Sequence, residues 1–220
     1  MFDLAQCGRH AKEYINLAKP LPVETVDVVG HRDSSQEHRN IEKLLCILER
    51  ELNVFARGER PNYELVLAVI DYFKDYPDTC HHPKEDMIFE RLKLRDANAV
   101  ATIGDLGAEH REGARRLRRV GQIVEAVLND QDLVRQIVYD TIRDFIDHER
   151  RHMAMEERLV FPAALKALRP ADWAEIALKL ADRHDPLSHP NVEEKFATLR
   201  RSILESEGEA ERLRHPTAPS

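Results

Sequence analysis

Residues 81–85 read His-His-Pro-Lys-Glu and residues 152–156 read His-Met-Ala-Met-Glu, so the spacing H-x-x-x-E occurs twice. Side chains four apart lie above one another on a helix. An imidazole one turn from a carboxylate on a single face is a donor pair suited to a transition-metal ion. Three lone histidines, His38, His110 and His148, fall where a core leucine is expected on an apolar helical stripe. A buried carboxylate without a partner is costly, and buried imidazoles still need both ring nitrogens satisfied. One such residue could be a core histidine bonded to a backbone carbonyl. Seven on four stripes (His38, His81, Glu85, His110, His148, His152 and Glu156) call for a common partner.

The elements that must carry them follow from apolar residues spaced by three and four. The first helix is expected over 34–57, capped by Asp33, Ser34 or Ser35 and closed by Gly58 and Pro61. Its stripe is Ile41, Leu45, Leu48, Leu52 and Phe55, and three residues before Ile41 stands His38. A second helix over 61–95, irregular at Pro77 and Pro83, carries Val66, Ile70, Phe73, Pro77, His81, Glu85, Ile88 and Leu92. A third over 98–128 carries Ile103, Leu106, His110, Ala114, Leu117, Gly121, Val124 and Leu128. A fourth over 131–168, kinked at Pro162, carries Val134, Val138, Thr141, Phe145, His148, His152, Glu156, Leu159 and Ala163. Further helices are expected over 170–184 and 191–207. No strand-like alternation of useful length occurs. The fold class is all-α, an up-down-up-down four-helix bundle with extra C-terminal helices.

The donors are nitrogen and oxygen, and no cysteine shares the stripes. Seven are too many for one tetrahedral zinc. They suit two octahedral irons bridged by the two carboxylates and capped by histidines, with a coordination position left for a small diatomic molecule or peroxide. An apolar bundle around such a centre would exclude water.

The order of these motifs resembles the hemerythrin family, in its HHE cation-binding form. "QEHRNIEKLL" supplies His38, "HHPKED" His81 and Glu85, "AEHREG" His110, and "HMAMEERLVFP" His152 and Glu156. The resemblance spans roughly residues 31–168 and implies a non-haem di-iron centre, oxo- or hydroxo-bridged. Oxygen-carrying members have a second histidine one turn further along the third helix, where this chain has Ala114. His148, one turn before His152, is a candidate for the fifth imidazole, and His82, three before Glu85, competes with His81. If neither substitutes, one iron keeps an extra open position, which favours reactivity over reversible carriage. A ferritin-like reading of "ERRH" (149–152) ranks well below this one, because the second copy is missing where residues 78–81 read Asp-Thr-Cys-His.

The function implied is binding or sensing of oxygen, nitric oxide or peroxide. The alternative is an enzyme that detoxifies peroxide or nitric oxide, or that donates iron for iron–sulfur cluster repair, a class in which Cys7 would matter. A third reading is a helical interaction module with structural metal, where Trp173, Ile176 and Leu180 cover the bundle or form a homodimer surface. With 220 residues and a net charge of −7, one sizeable acidic domain is expected and nucleic acid is a poor partner. The basic run "REGARRLRR" (111–119) reads as a solvated helix face. Three cysteines with no short-range pair argue against a disulfide framework, and neither a signal peptide nor a membrane span is visible, so a cytoplasmic location is expected. The division expected is an N-terminal extension (1–30), the bundle (31–168), a helical extension (169–208) and a tail (209–220).

Overall fold

The computed structural model describes residues 29–180, 187 and 196–205, and Asp78 and residues 29–33 without their side chains. Ten segments run in order: α1 (Val29–Ala56), α2 (Tyr63–Tyr76), a π turn (Pro77–His81), α3 (His82–Arg95), α4 (Ala97–Ile103), α5 (Leu106–Leu128), α6 (Arg135–Met155), a second π turn (Glu156–Val160), α7 (Phe161–Ala167) and α8 (Pro170–Leu180). Residues 196–205 form a further helix, α9. No strand occurs among the described residues. Each π turn joins its flanking helices into one rod, so α1, α2–α3, α5 and α6–α7 are the four expected staves. No described helix is long and apolar enough to cross a membrane.

Asn62, Asp96 and Asp105 cap α2, α4 and α5, accepting from the backbone N–H of Leu65, Ala99 and Ala108. The single helix expected over 98–128 is broken between α4 and α5, because Gly104 sits at φ +96°, a conformation natural to glycine. The fourth helix begins at Arg135 rather than 131, leaving Val134 62% exposed. The reading placed on Cys7 lies outside the described residues.

Both π turns precede a proline. Pro83 and Pro162 have no N–H to give, and an α-helical continuation would drive each ring into the carbonyl four residues back, at Thr79 and Arg158. The residue before each proline closes a wider turn instead: His82 N–H donates to the Pro77 carbonyl and Phe161 N–H to that of Glu156. The extra residue rotates everything downstream. Leu159, expected on the inner stripe, is therefore 42% exposed, while Val160, Phe161 and Ala164 are buried in its place.

The apolar interior has two parts. One contains Leu45, Leu48, Ile70, Phe73, Phe145 and Ile146. The other contains Ile88, Leu92, Leu106, Val160 and Phe161, together with Trp173, Ile176 and Leu180 of α8. The α8 stripe is thus used within the chain, and α8 packs against α1 and α3. Asp172 anchors it, accepting from Arg95 Nε and Nη2 at 2.9 and 2.8 Å and from the Arg169 N–H at 2.9 Å. Cys80 is free.

Candidate metal centre

On α2–α3, α5 and α6–α7 the polar residues separate one apolar cluster from the other. His81 and Glu85 follow Phe73 and precede Ile88, His110 lies between Leu106 and Leu117, and His152 and Glu156 lie between Ile146 and Val160. All of these donors are buried, as is His38 on α1, and both carboxylates are fully so.

Two four-residue groups each bring their donor atoms within 4.8 Å of one another. His38, His81, Glu85 and Glu156 form the first, and Glu85, His110, His152 and Glu156 the second. Glu85 and Glu156 belong to both. His38 Nε2 lies 3.3 Å from an oxygen of each carboxylate, and His110 Nε2 lies 3.6 Å from an oxygen of each. His81 Nε2 faces Glu85 and His152 Nε2 faces Glu156, both at 3.3 Å.

Few of these contacts have hydrogen-bond geometry. All four carboxylate oxygens, with Nε2 of His38, His110 and His152, are buried without a hydrogen-bond partner. So many inward-facing lone pairs are tolerable only around positive charge. The donor set therefore fits bound metal cations. Proton affinities show the same demand. Burial opposes charge on His38, yet Glu156, Glu157 and Glu85 hold it well above its ordinary value. Burial likewise opposes charge on His110, but Glu156 and Glu85 push it up to about 10. Burial would raise Glu85, but His81, His110 and His38 hold it well below the usual carboxylate range.

The outer nitrogens are held from neighbouring rods. His81 Nδ1 lies 2.9 Å from Glu37 of α1, whose carboxylate also takes Lys84 Nζ at 2.7 and 2.6 Å. His38 Nδ1 lies 2.9 Å from Glu157, whereas His110 Nδ1 approaches Asp86 at 3.1 Å without hydrogen-bond geometry. Such carboxylate–imidazole pairs leave Nε2 as the inward donor and fix the ring. Sequence reasoning missed all three acids. Their only signal is adjacency, since Glu37, Asp86 and Glu157 each neighbour a donor in sequence but lie against the histidine of a different rod.

His148 is not brought into any donor group. It lies one turn behind His152 with its ring parallel, the centroids 6.3 Å apart, and hydrogen-bonds the Glu109 backbone. That is the ordinary fate of a core histidine. His82 instead joins His110 and His152 in a third group of converging nitrogens. Glu149, the acid of "ERRH", is buried against Gly113 and outside every donor group, with burial pushing its carboxyl up to about 7. Tyr76 stacks on His81 at 6.3 Å and Tyr72 packs on Phe73.

Comparison with known proteins matches residues 31–172 to the Hemerythrin HHE cation binding domain. Neither a curated protein nor a solved structure matches the chain. The match spans more than half of the sequence and encloses all the converging donors, so the chain belongs to the hemerythrin HHE cation-binding family.

Proposed function

We propose that the chain is a non-haem di-iron protein that binds or senses a small ligand of the oxygen, nitric oxide or peroxide class. The observation that carries this reading is the sharing of Glu85 and Glu156 by two donor groups. Two carboxylates common to two sets of imidazoles hold a pair of ions rather than one. His38 and His81 would hold the first iron, His110 and His152 the second, and the two glutamates both. Iron there would supply one-electron redox chemistry and a coordination position for the small ligand.

The chain's own residues set the conditions. Glu37 and Glu157 orient His81 and His38, and Asp86 adds negative charge beside His110. Tyr76 lies against His81, and Phe161 against His38 with centroids 5.6 Å apart, so both imidazoles of the first group have an aromatic neighbour that excludes water. The apolar clusters on either side lower the local dielectric and favour neutral, compact ligands over hydrated anions.

Anaerobic reconstitution with ferrous iron followed by oxygen is expected to give about two irons per chain and charge-transfer absorption in the near ultraviolet and visible. A colourless product holding less than one iron per chain would overturn the proposal. Steady-state consumption of peroxide or nitric oxide, with His110→Ala as control, separates turnover from binding.

A further inference from the structure

The two donor groups are unequal once His82 is considered. The first has two imidazoles, His38 and His81. The second has His110 and His152, and nitrogens of these two converge with one of His82 within 4.8 Å. The His82 ring is stacked on that of His110, centroids 4.1 Å apart and planes 14° from parallel. The His152 ring stands edge-on to both, at 83° and 82°.

Consecutive residues on an α-helix point about 100° apart, so His81 and His82 should not both serve one interior. The π turn changes this. His81 is its last residue and His82 closes it by donating to the Pro77 carbonyl. The widened turn lets two adjacent histidines serve different groups, His81 beside His38 and His82 beside His110. π turns recur where a helix must re-aim a side chain at a site.

We propose that His82 is the third imidazole ligand of the position held by His110 and His152, supplied by the second rod where Ala114 leaves the third without one. The inference rests on the metal reading of the same centre and goes beyond it. Three imidazoles and two shared carboxylates nearly fill one octahedral ion, whereas two imidazoles and the same carboxylates leave room on the other. Exchangeable ligands are therefore taken at the His38–His81 position.

The test loads the full-length chain with Co2+ and counts the paramagnetically shifted, solvent-exchangeable imidazole N–H resonances, one for each coordinated histidine. His38, His81, His82, His110 and His152 should give five in the wild type. His82→Gln should lose one, and His148→Gln none. Retention of all five in His82→Gln, or loss of one in His148→Gln instead, overturns the proposal. So does a wild-type count of four that neither substitution changes, and the metal reading survives each of these results. A wild-type chain that binds no Co2+ would remove the metal reading itself. Should His82→Gln lose helicity, carbethoxylation of the unaltered chain decides. Co2+ should protect the half-buried His82, and equal modification with and without metal counts against it.

Discussion

Glu37 tests whether the outer acids act on the metal or merely on the fold. Its carboxylate holds two partners, His81 Nδ1 at 2.9 Å and Lys84 Nζ at 2.7 and 2.6 Å. Glu37 and Lys84 are 10% and 8% exposed, so their bond is not a surface ion pair worth about 0–1 kcal/mol. Removing one member of a buried pair leaves the other charge uncompensated, and Glu37→Ala is expected to destabilise the chain by about 3–5 kcal/mol. Lys84→Met leaves Glu37 its bond to His81 and should cost about 1–3 kcal/mol. The double variant leaves no stranded charge and should fall short of the summed losses by about 1–3 kcal/mol. Metal affinity should follow a different rule. Without Glu37 the His81 ring loses its orienting acceptor, so affinity drops about 10–100-fold in both Glu37→Ala and the double variant. Lys84→Met keeps that acceptor and stays near wild type. Urea unfolding of metal-free protein gives the first quantity, and competition against a chromophoric chelator gives the second. The reasoning fails if Lys84→Met weakens metal binding as much as Glu37→Ala does, or if the double variant regains affinity along with stability.

Other expectations follow from the same structure. Glu85→Gln removes a charge shared by both donor groups and should reduce bound metal below the wild-type stoichiometry, read by elemental analysis. Phe145→Ala, deep in the larger cluster and edge-on to Phe73, should cost about 3–5 kcal/mol in urea unfolding. Leu159→Ser should change stability by less than about 0.5 kcal/mol, while Val160→Ser should cost about 2 kcal/mol or more. The reverse order would contradict the π turn. Asp172 is held down at about 2, chiefly by Arg95, against an ordinary value of 3.8. Its contribution is present above the unfolded value and lost as pH falls through the folded one. The stability gap between wild type and Asp172→Asn should therefore be constant above about pH 5 and close between about pH 4 and 2. A gap that persists at low pH would argue against the Arg95 pairing as its source.

Much of the bundle was legible because steps of three and four mark a helix face without knowledge of its partners. Ile41, Leu45, Leu48 and Leu52 on α1 are all buried, as are Val66, Ile70 and Phe73 on α2. The H-x-x-x-E pairs and the histidines at 38 and 110 were visible because imidazole interrupts those faces. Three things were hidden. The π turn Glu156–Val160 adds a residue that a fixed period cannot represent, so strict periodicity leads to Leu159 instead of Val160. The same widening at Pro77–His81 let His82 converge with the third and fourth rods, where strict periodicity pointed to His148. The outer acids act between rods, and adjacency of Glu37 to His38 says nothing of its bond to His81. Gly104 was a signal overlooked within an otherwise helical run.

The separation of the oily interior into two compartments has a consequence for how the chain breathes. Each compartment can clamp the staves without help from the charged belt between them. If the ions leave, repulsion should swell the waist while the ends stay shut. Amide hydrogen exchange in ion-free protein should then quicken first around His81–Glu85 and His152–Glu156, halfway along the rods, the opposite of ordinary end-fraying.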